Sequence, residues 1–559
     1  MEHSFVYKND RPWPNPRLKR AAIVGHTTAD STRLWFRTAA PGDYELLLYP
    51  ARADSDDSLF AGFRNVPYDT DALPVYVRRI PFTVTDYAQD STHVVDVDGL
   101  APLTEYRYAL YGPDGGIGRV LLGQDRPYRF RTLPAEEAAL SFAFYSCHMP
   151  YKHSIFGGTN VVNMAMWSCF NDVMRRHYAE DLRFVIGGGD QVYVDGVKTL
   201  DIWRYLNKVM ARTDGELRPS RDEMVSWFRD IYRGYWGFPA LREAFSSYPT
   251  YMIWDDHELK DGWGSDRFRR RGRDDLDRKI FPARRKKGLS RSDCRELLRR
   301  MESAGKQVYR EYQHAHNPPT PEGRYDYSFL HASSAFYMLD GRGYRDVNRR
   351  SRRILGQAQL RRFTEWLEAL DPARTRYLFV VSAVPVLHMK PVFVNSDDTT
   401  AAELAEIDDD LRDAWEHSLH DSERRALLAA LFAAAARGLR VCILSGDVHT
   451  SAVFRMTDED SGAVLYQLTS SAITYNKPRL LGWLLGNTVP DAGRSDDGYR
   501  FERLALYTDS NFSLLRVDPA ADRVVFQLYG QQQVGHPEGT REDRPVTHSI
   551  ARLELDFDG

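Results

Sequence analysis

Short apolar runs that end in polar residues recur along the chain. The run at 183–186 opens into three glycines and then Asp190, and similar runs end at Cys147, at Asp255 and at His449. A brief apolar run closed by glycine is typical of a buried β-strand that ends in a turn. The shared pattern predicts that these polar side chains meet at one edge of a central sheet.

The first 135 residues carry the pattern of β-structure. Residues 33–37, 44–49 and 93–97 alternate apolar and polar positions, and turns rich in Gly, Pro and Asp separate them. The stretch 100–108 resembles the Leu-x-Pro-x-Thr-x-Tyr signature of fibronectin type III sandwiches. We therefore predict an N-terminal β-sandwich domain, residues 1–135, that packs against the rest of the chain. Ligand binding by this domain is the alternative, which no individual residue supports.

Beyond residue 135, strand-like runs alternate with amphipathic helical patterns. Helices are predicted at 163–178, 355–370 and 422–439, and strand-like sequence returns at 512–555. Such alternation indicates α/β or α+β layering in a second domain, residues 136–559. We expect the last strands to complete one of two sheets.

A charged insertion interrupts this second domain near residues 265–310, with basic runs at 267–271 and 284–287. The simpler interpretation is a solvated helical hairpin. The alternative is a basic lid that attracts phosphate esters toward an acidic metal site. A nucleic-acid surface would need aromatic residues among the basic ones, and Phe268 and Phe281 alone are thin support.

Length and composition allow two domains with sizeable cores, because 43% of the 559 residues are hydrophobic. A net charge of −3 gives no general case for binding nucleic acid or an anionic membrane. The cysteines, Cys147, Cys169, Cys294 and Cys442, show no spacing typical of a disulfide scaffold. With no apolar leader and no span long enough for a membrane helix, we expect a cytoplasmic protein without membrane attachment.

The polar residues at the strand ends form a mixed set of donor atoms. Asp190 precedes Tyr193 by three residues, and a phenol with a pKa of about 10 binds metal only when a strongly charged cation removes its proton. Taken alone, this pair is as readily a turn Asp beside a core Tyr. Together with Cys147 and His449, however, it favours a redox-capable transition metal such as iron over magnesium.

The set of motifs resembles that of the alkaline phosphatase D (PhoD-like) family of metallophosphatases. The matching stretches are Ser146-Cys147, the GDQVY at 189–193, the WDDHE at 254–258 and the SGDVH at 445–449. The wider calcineurin-like and purple acid phosphatase superfamily has GDxxY, GNHE and GHxH boxes. The stretch 189–193 matches the first box, 255–258 resembles the second, and 446–449 resembles the third with Asp447 in place of its first His. The resemblance covers nearly the whole chain and implies a four-layer αββα sandwich preceded by a fibronectin III- or Ig-like sandwich.

A metal centre is also implied by this resemblance. It would contain Fe(III) with one or two divalent cations, Ca²⁺ by similarity, and carboxylates suit calcium because it takes only oxygen ligands. Asp190 is the candidate bridging ligand. The implied metal ligands are Cys147, Asp190, Tyr193, Asp256, Asp447 and His449. Where family members often carry Asn this chain has Asp261, which could bind calcium or serve as a turn residue.

The catalytic candidates are His257 and Asp255. His257 resembles the catalytic His of the superfamily and is predicted to be a general acid or a phosphoryl stabiliser, with a purely structural His as the alternative. Asp255 or Glu258 could orient it by hydrogen bonding. Arg342 or Arg345 could clamp phosphate or belong to a surface loop.

These features predict a metal-dependent hydrolase of phosphoric esters, an alkaline phosphatase or phosphodiesterase, whose partner is a small-molecule phosphate ester. A metal-bound water that loses its proton near neutral pH would be the nucleophile. The alternatives are a non-catalytic binding protein on a phosphatase fold, against which the intact ligand set argues, and a nuclease or phospholipase D-type diesterase on the same centre. Nucleic acid is expected only as a substrate.

Overall fold

Strands from both halves of the chain build two large sheets that stack face to face. The computed structural model describes residues 13–51, 75–114, 117–122, 128–153, 158–268, 274–348, 352–395, 408–475, 486–535 and 541–558.

The strands are β1 (Ala21–Thr27), β2 (Ser31–Arg37), β3 (Gly42–Pro50), β4 (Arg78–Val84), β5 (Thr92–Asp98), β6 (Glu105–Asp114), β7 (Ile117–Leu122), β8 (Tyr128–Arg131), β9 (Leu140–Tyr145), β10 (Tyr151–His153), β11 (Thr159–Val161), β12 (Leu182–Gly188), β13 (Ala211–Thr213), β14 (Glu216–Arg218), β15 (Thr250–Ile253), β16 (Tyr327–His331), β17 (Ser334–Met338), β18 (Tyr377–Val381), β19 (Arg440–Ser445), β20 (Ser451–Asp458), β21 (Val464–Thr469), β22 (Ala492–Arg494), β23 (Tyr499–Tyr507), β24 (Asn511–Asp518), β25 (Arg523–Gly535), β26 (Arg541–Pro545) and β27 (Ala551–Leu555). The helices are α1 (Ala165–Tyr178), α2 (Ile202–Val209), α3 (Arg221–Tyr235), α4 (Pro239–Phe245), α5 (Arg291–Tyr312), α6 (Gln357–Glu368), α7 (Pro391–Val394), α8 (Asp408–Asp413) and α9 (Asp421–Ala436).

The first large sheet has the order β15-β12-β9-β24-β25, and β26 and β27 both pair with β25. Its strands β9, β12 and β15 run parallel, so their carboxyl ends lie at one edge. The second sheet has the order β16-β17-β18-β19-β21-β20-β23-β22, with β17, β18, β19 and β21 parallel. The prediction that the C-terminal strands complete one sheet is confirmed.

Three apolar layers hold the sheets and helices together. An aromatic layer lies between the sheets, where Phe142 of β9 meets Phe379 of β18 edge to face, with their ring centroids 5.0 Å apart. The outer face of the first sheet packs against α1, α3 and α5, and the outer face of the second packs against α6 and α9. This is the predicted αββα arrangement, which follows because each amphipathic helix buries its apolar stripe on a sheet.

The N-terminal strands form two smaller antiparallel sheets, β1-β2-β5 and β4-β3-β6-β7, with β8 paired to β6. Their facing side chains, including Phe36 and Tyr108, make a separate apolar core. The predicted N-terminal β-structure is therefore confirmed. The specific likeness to fibronectin III and the boundary at residue 135 stay predictions.

The N-terminal sheets dock on helix α5. Trp35 of β2 is fully buried there, donates its indole N–H to the carbonyl of Glu311 at 2.7 Å, and lies 5.5 Å from the ring of Tyr312. Helix α5 begins with a capping box, in which the Ser290 hydroxyl accepts from the backbone N–H of Asp293. Its apolar positions repeat every three or four residues, which places one stripe in the core beneath β2.

The prediction of a solvated hairpin at 265–310 is wrong for its longest part, because α5 has a buried face that packs against α3 and the N-terminal strands. Its high charge obscured that stripe. The basic positions 269–273 lie outside the described residues.

The predicted helices at 163–178, 355–370 and 422–439 correspond to α1, α6 and α9. No helix in the described ranges has both the length and the apolar character needed to cross a membrane.

A buried ion-pair network supports this docking. Asp90, which is 6% exposed, accepts from Arg37 at 3.1 Å and from Arg233 of α3 at 2.8 Å, and also from the Tyr312 hydroxyl. Burial alone would raise the pKa of Asp90, but the charges of Arg37 and Arg233 outweigh it and lower that pKa below its ordinary value.

We expect Asp90→Asn to destabilise the protein by about 3 kcal/mol, because it leaves two buried arginines without their shared carboxylate. Urea denaturation should show a lower midpoint. The difference from wild type should shrink as pH falls through the lowered pKa of Asp90, since the wild-type carboxylate then loses its charge.

The matched control is Asp96→Asn, which removes an exposed pair with Arg33. Its effect should stay below about 1 kcal/mol. Equal midpoints for the two variants would contradict a supporting role of Asp90.

Candidate functional site

The loops after β9, β12, β15 and β19 meet at the junction of the two large sheets. Backbone hydrogen bonds join the first two of these loops, because Cys147 N–H donates to the Gly189 carbonyl at 3.2 Å and His148 N–H donates to the Asp190 carbonyl at 2.8 Å. Gly446 lets the loop after β19 approach the loop after β9 closely, since a Cβ at this position would lie 2.4 Å from the Ser146 side chain. The predicted meeting of the strand ends is therefore what the fold produces.

The backbone is strained at this junction. Cys147, Asp190, Asp447 and His449 all have φ between 51° and 60°, in the left-handed region. Such conformations are uncommon for residues other than glycine and cost about 1–3 kcal/mol each. Their concentration in three loops indicates that the fold holds these side chains in a set geometry.

The first set of contacts links a thiol, a carboxylate, a phenol and an imidazole. The Tyr193 oxygen lies 3.0 Å from Asp190 Oδ2 and 3.1 Å from His449 Nε2, and Cys147 Sγ lies 3.5 Å from the same Asp190 oxygen. Donor atoms of Cys147, Asp190 and His449 all fall within 4.8 Å of one another. The structure thus brings together the residues in which the sequence indicated a transition-metal site.

The second set is made of carboxylates. Oxygens of Asp190, Asp255, Asp256 and Asp447 all lie within 4.8 Å of one another, and a further group joins Asp190, Asp256 and His257. Asp190 is thus common to three of the four such groups that the described residues contain. That position suits a residue that contacts more than one cation.

The electrostatics of the site reflect an excess of buried negative charge. Burial, reinforced by Asp256 and Asp255, raises the pKa of Asp190 well above its ordinary value, and burial with Asp255 and Asp256 does the same for Asp447. Burial, Asp190 and Cys147 likewise raise the pKa of Tyr193. Anionic donors in such surroundings are stabilised by cations.

Buried oxygens that lack a hydrogen bond also indicate a cation site. Among the described residues, Asp190 Oδ1 and Asp255 Oδ2 are buried and accept no hydrogen bond, whereas the second oxygen of each carboxylate is held by protein. A buried polar atom without a partner is costly, so these atoms fit the role of metal ligands. A thiol, a phenol and an imidazole on one side and carboxylates on the other are all groups that bind metal ions in proteins.

His257 lies beside the carboxylates, with its ring 4.1 Å from the Tyr193 ring. The prediction that Asp255 or Glu258 orients it is wrong, because Asp195 Oδ1 lies 2.7 Å from its Nδ1. Asp256 and Glu258 of this turn are buried, whereas the His257 side chain is 17% exposed. Asp195 was missed by sequence reasoning, although it follows Tyr193 by only two residues and precedes a glycine, which suggests a turn.

Asp261 lies at the rim of the site, with its side chain 54% exposed and Oδ1 3.9 Å from His257 Nε2. It belongs to none of the ligand groups among the described residues. Its backbone N–H donates to Asp195 at 2.5 Å. The turn interpretation therefore describes its contacts, and a calcium ligand at Asp261 stays a prediction.

Arg342 is neither a surface residue nor an open phosphate clamp, which corrects both alternatives drawn from the sequence. It is fully buried, donates through Nε to Asp255, and donates in bidentate fashion to Asp413 at 2.6 and 2.7 Å. Arg345 is buried behind it and donates to the Asp413 carbonyl. Burial lowers the pKa of Arg342, but Asp255 and Asp413 outweigh that effect and raise it. The partner Asp413 is 71 positions away in sequence, so no local pattern could identify it.

Glu258 acts on the backbone of the site. Its carboxylate accepts from the N–H groups of Asp190, Gln191 and Asp255, and from the Gln313 amide at 2.9 Å. Burial raises the pKa of Glu258 to about 7, against the opposing effect of these hydrogen bonds. It therefore joins the loops after β12 and β15 and links both to the end of α5.

Comparison with known proteins agrees with this geometry. A family model described as PhoD-like phosphatase matches residues 142–480, so the chain belongs to the PhoD-like phosphatase family. An uncharacterized protein of Saccharomyces cerevisiae, YGR266W, is 22% identical over 413 residues, which are 63% of this chain and 55% of that protein. The chain thus spans little more than half the length of this curated relative.

The fold is shared with a solved structure, that of PhoD. The structure of PhoD superposes with a TM-score of 0.61 at 17% identity, over 96% of this chain and 90% of that one. A purple acid phosphatase, PPD1, from yellow lupin (Lupinus luteus) seeds matches with a TM-score of 0.49 at 11% identity, over 95% of this chain and 74% of that one. The PhoD match confirms the predicted fold class.

The crowded carboxylates predict an unusual pH dependence of the metal-free protein. A carboxyl group whose pKa is raised by folding stabilises the protein below its ordinary pKa, and that stabilisation is lost as pH rises through the raised value. For Asp255 the pKa is raised to about 7, by burial against the opposing charge of Arg342. Asp255 is among the charges that raise the pKa of Asp447, so we expect chelator-treated Asp447→Asn to melt at a higher temperature than chelator-treated wild type at about pH 8, where Asp255 is charged. The gap should close at about pH 5, where Asp255 is protonated.

Thermal unfolding at the two pH values checks this expectation, with Asp496→Asn as the exposed control. Added cations should reverse the order, because the variant lacks one carboxylate. A gap that is the same at both pH values would contradict repulsion at this site.

Proposed function

We propose that this chain is a metal-dependent hydrolase of phosphoric esters, of the phosphomonoesterase or phosphodiesterase type, that acts on small-molecule phosphate esters. The observation that carries the proposal is the place of Asp190 between the thiol–imidazole group and the carboxylate group. Membership in a phosphatase family supports the same reaction class.

The residues suit two kinds of cation. We infer that Cys147, Asp190, Tyr193 and His449 hold Fe(III), since an anionic phenol and thiol favour a strongly charged transition metal. Asp190, Asp256 and Asp447 would hold one or two calcium ions, which take oxygen ligands. When bound, these cations would lower the pKa of a water molecule and stabilise the charge on the phosphoryl oxygens.

His257 is proposed to supply a proton to the leaving oxygen or to stabilise the phosphoryl group. Burial lowers its pKa, but the charges of Asp195, Asp256 and Asp190 outweigh burial and raise it well above the ordinary value. Since Nδ1 is directed at Asp195, Nε2, which lies 3.9 Å from the exposed Asp261 carboxylate, is the nitrogen that would meet a substrate. Asp195 is thus a positioning residue, and it takes the part that the sequence assigned to Asp255.

Asp255 then has a different role. Its Oδ1 accepts from Arg342, its Oδ2 is buried without a hydrogen bond, and the residue belongs to the carboxylate group. We infer that it adds an oxygen to the cation site and that Arg342 sets the direction of that oxygen. This role is electrostatic and involves no proton transfer.

The first test is elemental analysis and visible spectroscopy of protein purified without chelator. We expect iron and a phenolate-to-Fe(III) charge-transfer band, which Tyr193→Phe should abolish because it keeps the ring and removes the ligand oxygen. Asp190→Asn should lose metal and hydrolysis of nitrophenyl phosphate while it stays folded. Tyr145→Phe, which removes a buried phenol oxygen outside the ligand groups, is the control and should keep the band.

Persistence of the band in Tyr193→Phe would remove that residue from the metal site. Full turnover by Asp190→Asn, or wild-type protein without metal or activity on mono- and diesters, would refute the proposed function.

The second test separates His257 from the ligands. We expect His257→Ala to retain metal but to lose roughly 10²- to 10⁴-fold in rate on phenyl phosphate, with a smaller loss on nitrophenyl phosphate, whose better leaving group needs less protonation. Asp195→Asn should show the same trend with a loss of about 10- to 100-fold. His153→Ala, an exposed His on β10, is the control.

Equal losses on both substrates would exclude proton donation by His257. Loss of metal from His257→Ala would show that the imidazole is itself a ligand.

A further inference from the structure

A segment that no sequence motif marked, residues 470–475 after β21, lines the thiol side of the site. Backbone hydrogen bonds attach it to the loop after β9, since Ile473 N–H donates to the Ser146 carbonyl at 2.9 Å. On the other side, Asn511 N–H donates to the Ala472 carbonyl at 2.9 Å. The segment is therefore fixed between two strands and can act as a support.

Ser471 and Tyr475 are the side chains by which this segment touches the site. The Ser471 hydroxyl accepts from the backbone N–H of His449 at 3.1 Å and lies 3.2 Å from Cys147 Sγ. The Tyr475 ring stacks on the His449 imidazole, with centroids 3.6 Å apart and planes 17° from parallel. The same ring lies 5.9 Å from the ring of Tyr193.

Stacking of this kind restrains the rotation of the imidazole about χ2. The χ2 torsion of histidine has a broad preference, so hydrogen bonds to the backbone of His449 do not fix the plane of its ring. A parallel aromatic ring at 3.6 Å allows the imidazole to slide but not to turn out of plane. In the observed plane, His449 Nε2 lies 3.1 Å from the Tyr193 oxygen.

We propose that Tyr475 is a positioning residue that fixes the plane of the His449 imidazole, and so sets the cation affinity of the Cys147, Asp190, Tyr193 and His449 group. This proposal rests on the proposed function, because it assumes that the group binds a cation. The ring carries the effect, and the hydroxyl is not required.

Three variants at Tyr475 separate the effect of the planar ring from the effects of its volume and its hydroxyl, and a fourth variant is a control. Tyr475→Phe keeps the stacked ring and should behave as wild type. Tyr475→Leu keeps apolar volume without a planar face, and Tyr475→Ala removes both. Tyr128→Ala is the control, since Tyr128 is a half-buried tyrosine that makes an aromatic contact with Tyr108 in the N-terminal sheets.

The experiment is a titration of chelator-treated protein with Co²⁺, followed by its visible absorption and by calorimetry. Co²⁺ serves as the probe because its bands report coordination by sulfur and nitrogen. We expect Tyr475→Leu and Tyr475→Ala to bind Co²⁺ about 10- to 100-fold more weakly, the usual loss when a residue that orients a ligand is removed. Their bands should also shift, while Tyr475→Phe and Tyr128→Ala match wild type.

Each outcome decides the proposal. Wild-type affinity and bands in Tyr475→Leu would overturn it and leave the proposed function intact. Weak binding by Tyr475→Phe as well would assign the effect to the hydroxyl and overturn the ring-plane proposal. If wild type binds no Co²⁺, the proposed metal site fails, and the role of Tyr475 fails with it. Thermal unfolding of the chelated proteins shows whether a loss of affinity comes from a loss of fold.

Discussion

Burial of like charge at the junction of two sheets is the constraint on which the site depends. Oxygens of Asp190, Asp255, Asp256 and Asp447 converge in a largely buried site, and burial raises the pKa of Asp190 and of Asp447. Arg342 lies directly behind them, but Asp413 takes two of its donor groups. Its charge therefore does not balance the cluster, and cations are the natural complement.

The rest of the fold holds this arrangement in place. Left-handed backbone at Cys147, Asp190, Asp447 and His449 costs about 1–3 kcal/mol each, which together is comparable with the whole stability of a typical protein. The aromatic layer between the sheets and the hydrogen bonds to Glu258 offset that cost. Strain and repulsion in the loops are thus compensated by packing and bonding in the scaffold beneath them.

The N-terminal sheets take part in the same scaffold. Trp35 donates to the carbonyl of Glu311, near the end of α5, and Gln313 just beyond that end donates to Glu258. Glu258 in turn accepts from the N–H of Asp190. A continuous set of contacts therefore runs from β2 to the candidate bridging residue, which gives the β-sandwich a structural relation to the site.

The sequence by itself determined the strand ends, the alternation of strands and helices after residue 135 and most of the side chains that meet, because apolar runs closed by glycine and polar residues are local signals. The helices at α1, α6 and α9 and the site residues Cys147 and Asp190 were readable in this way. Only the tertiary structure decided which neighbours complete the site. Asp195 displaced Asp255 as the partner of His257, and α5 proved to be a buried helix within a charged insertion. Arg342 pairs with Asp413, and the Tyr475 ring stacks on His449, although no local sequence pattern connects these loops. Such hydrogen bonds and ring contacts between distant segments depend on how the sheets stack.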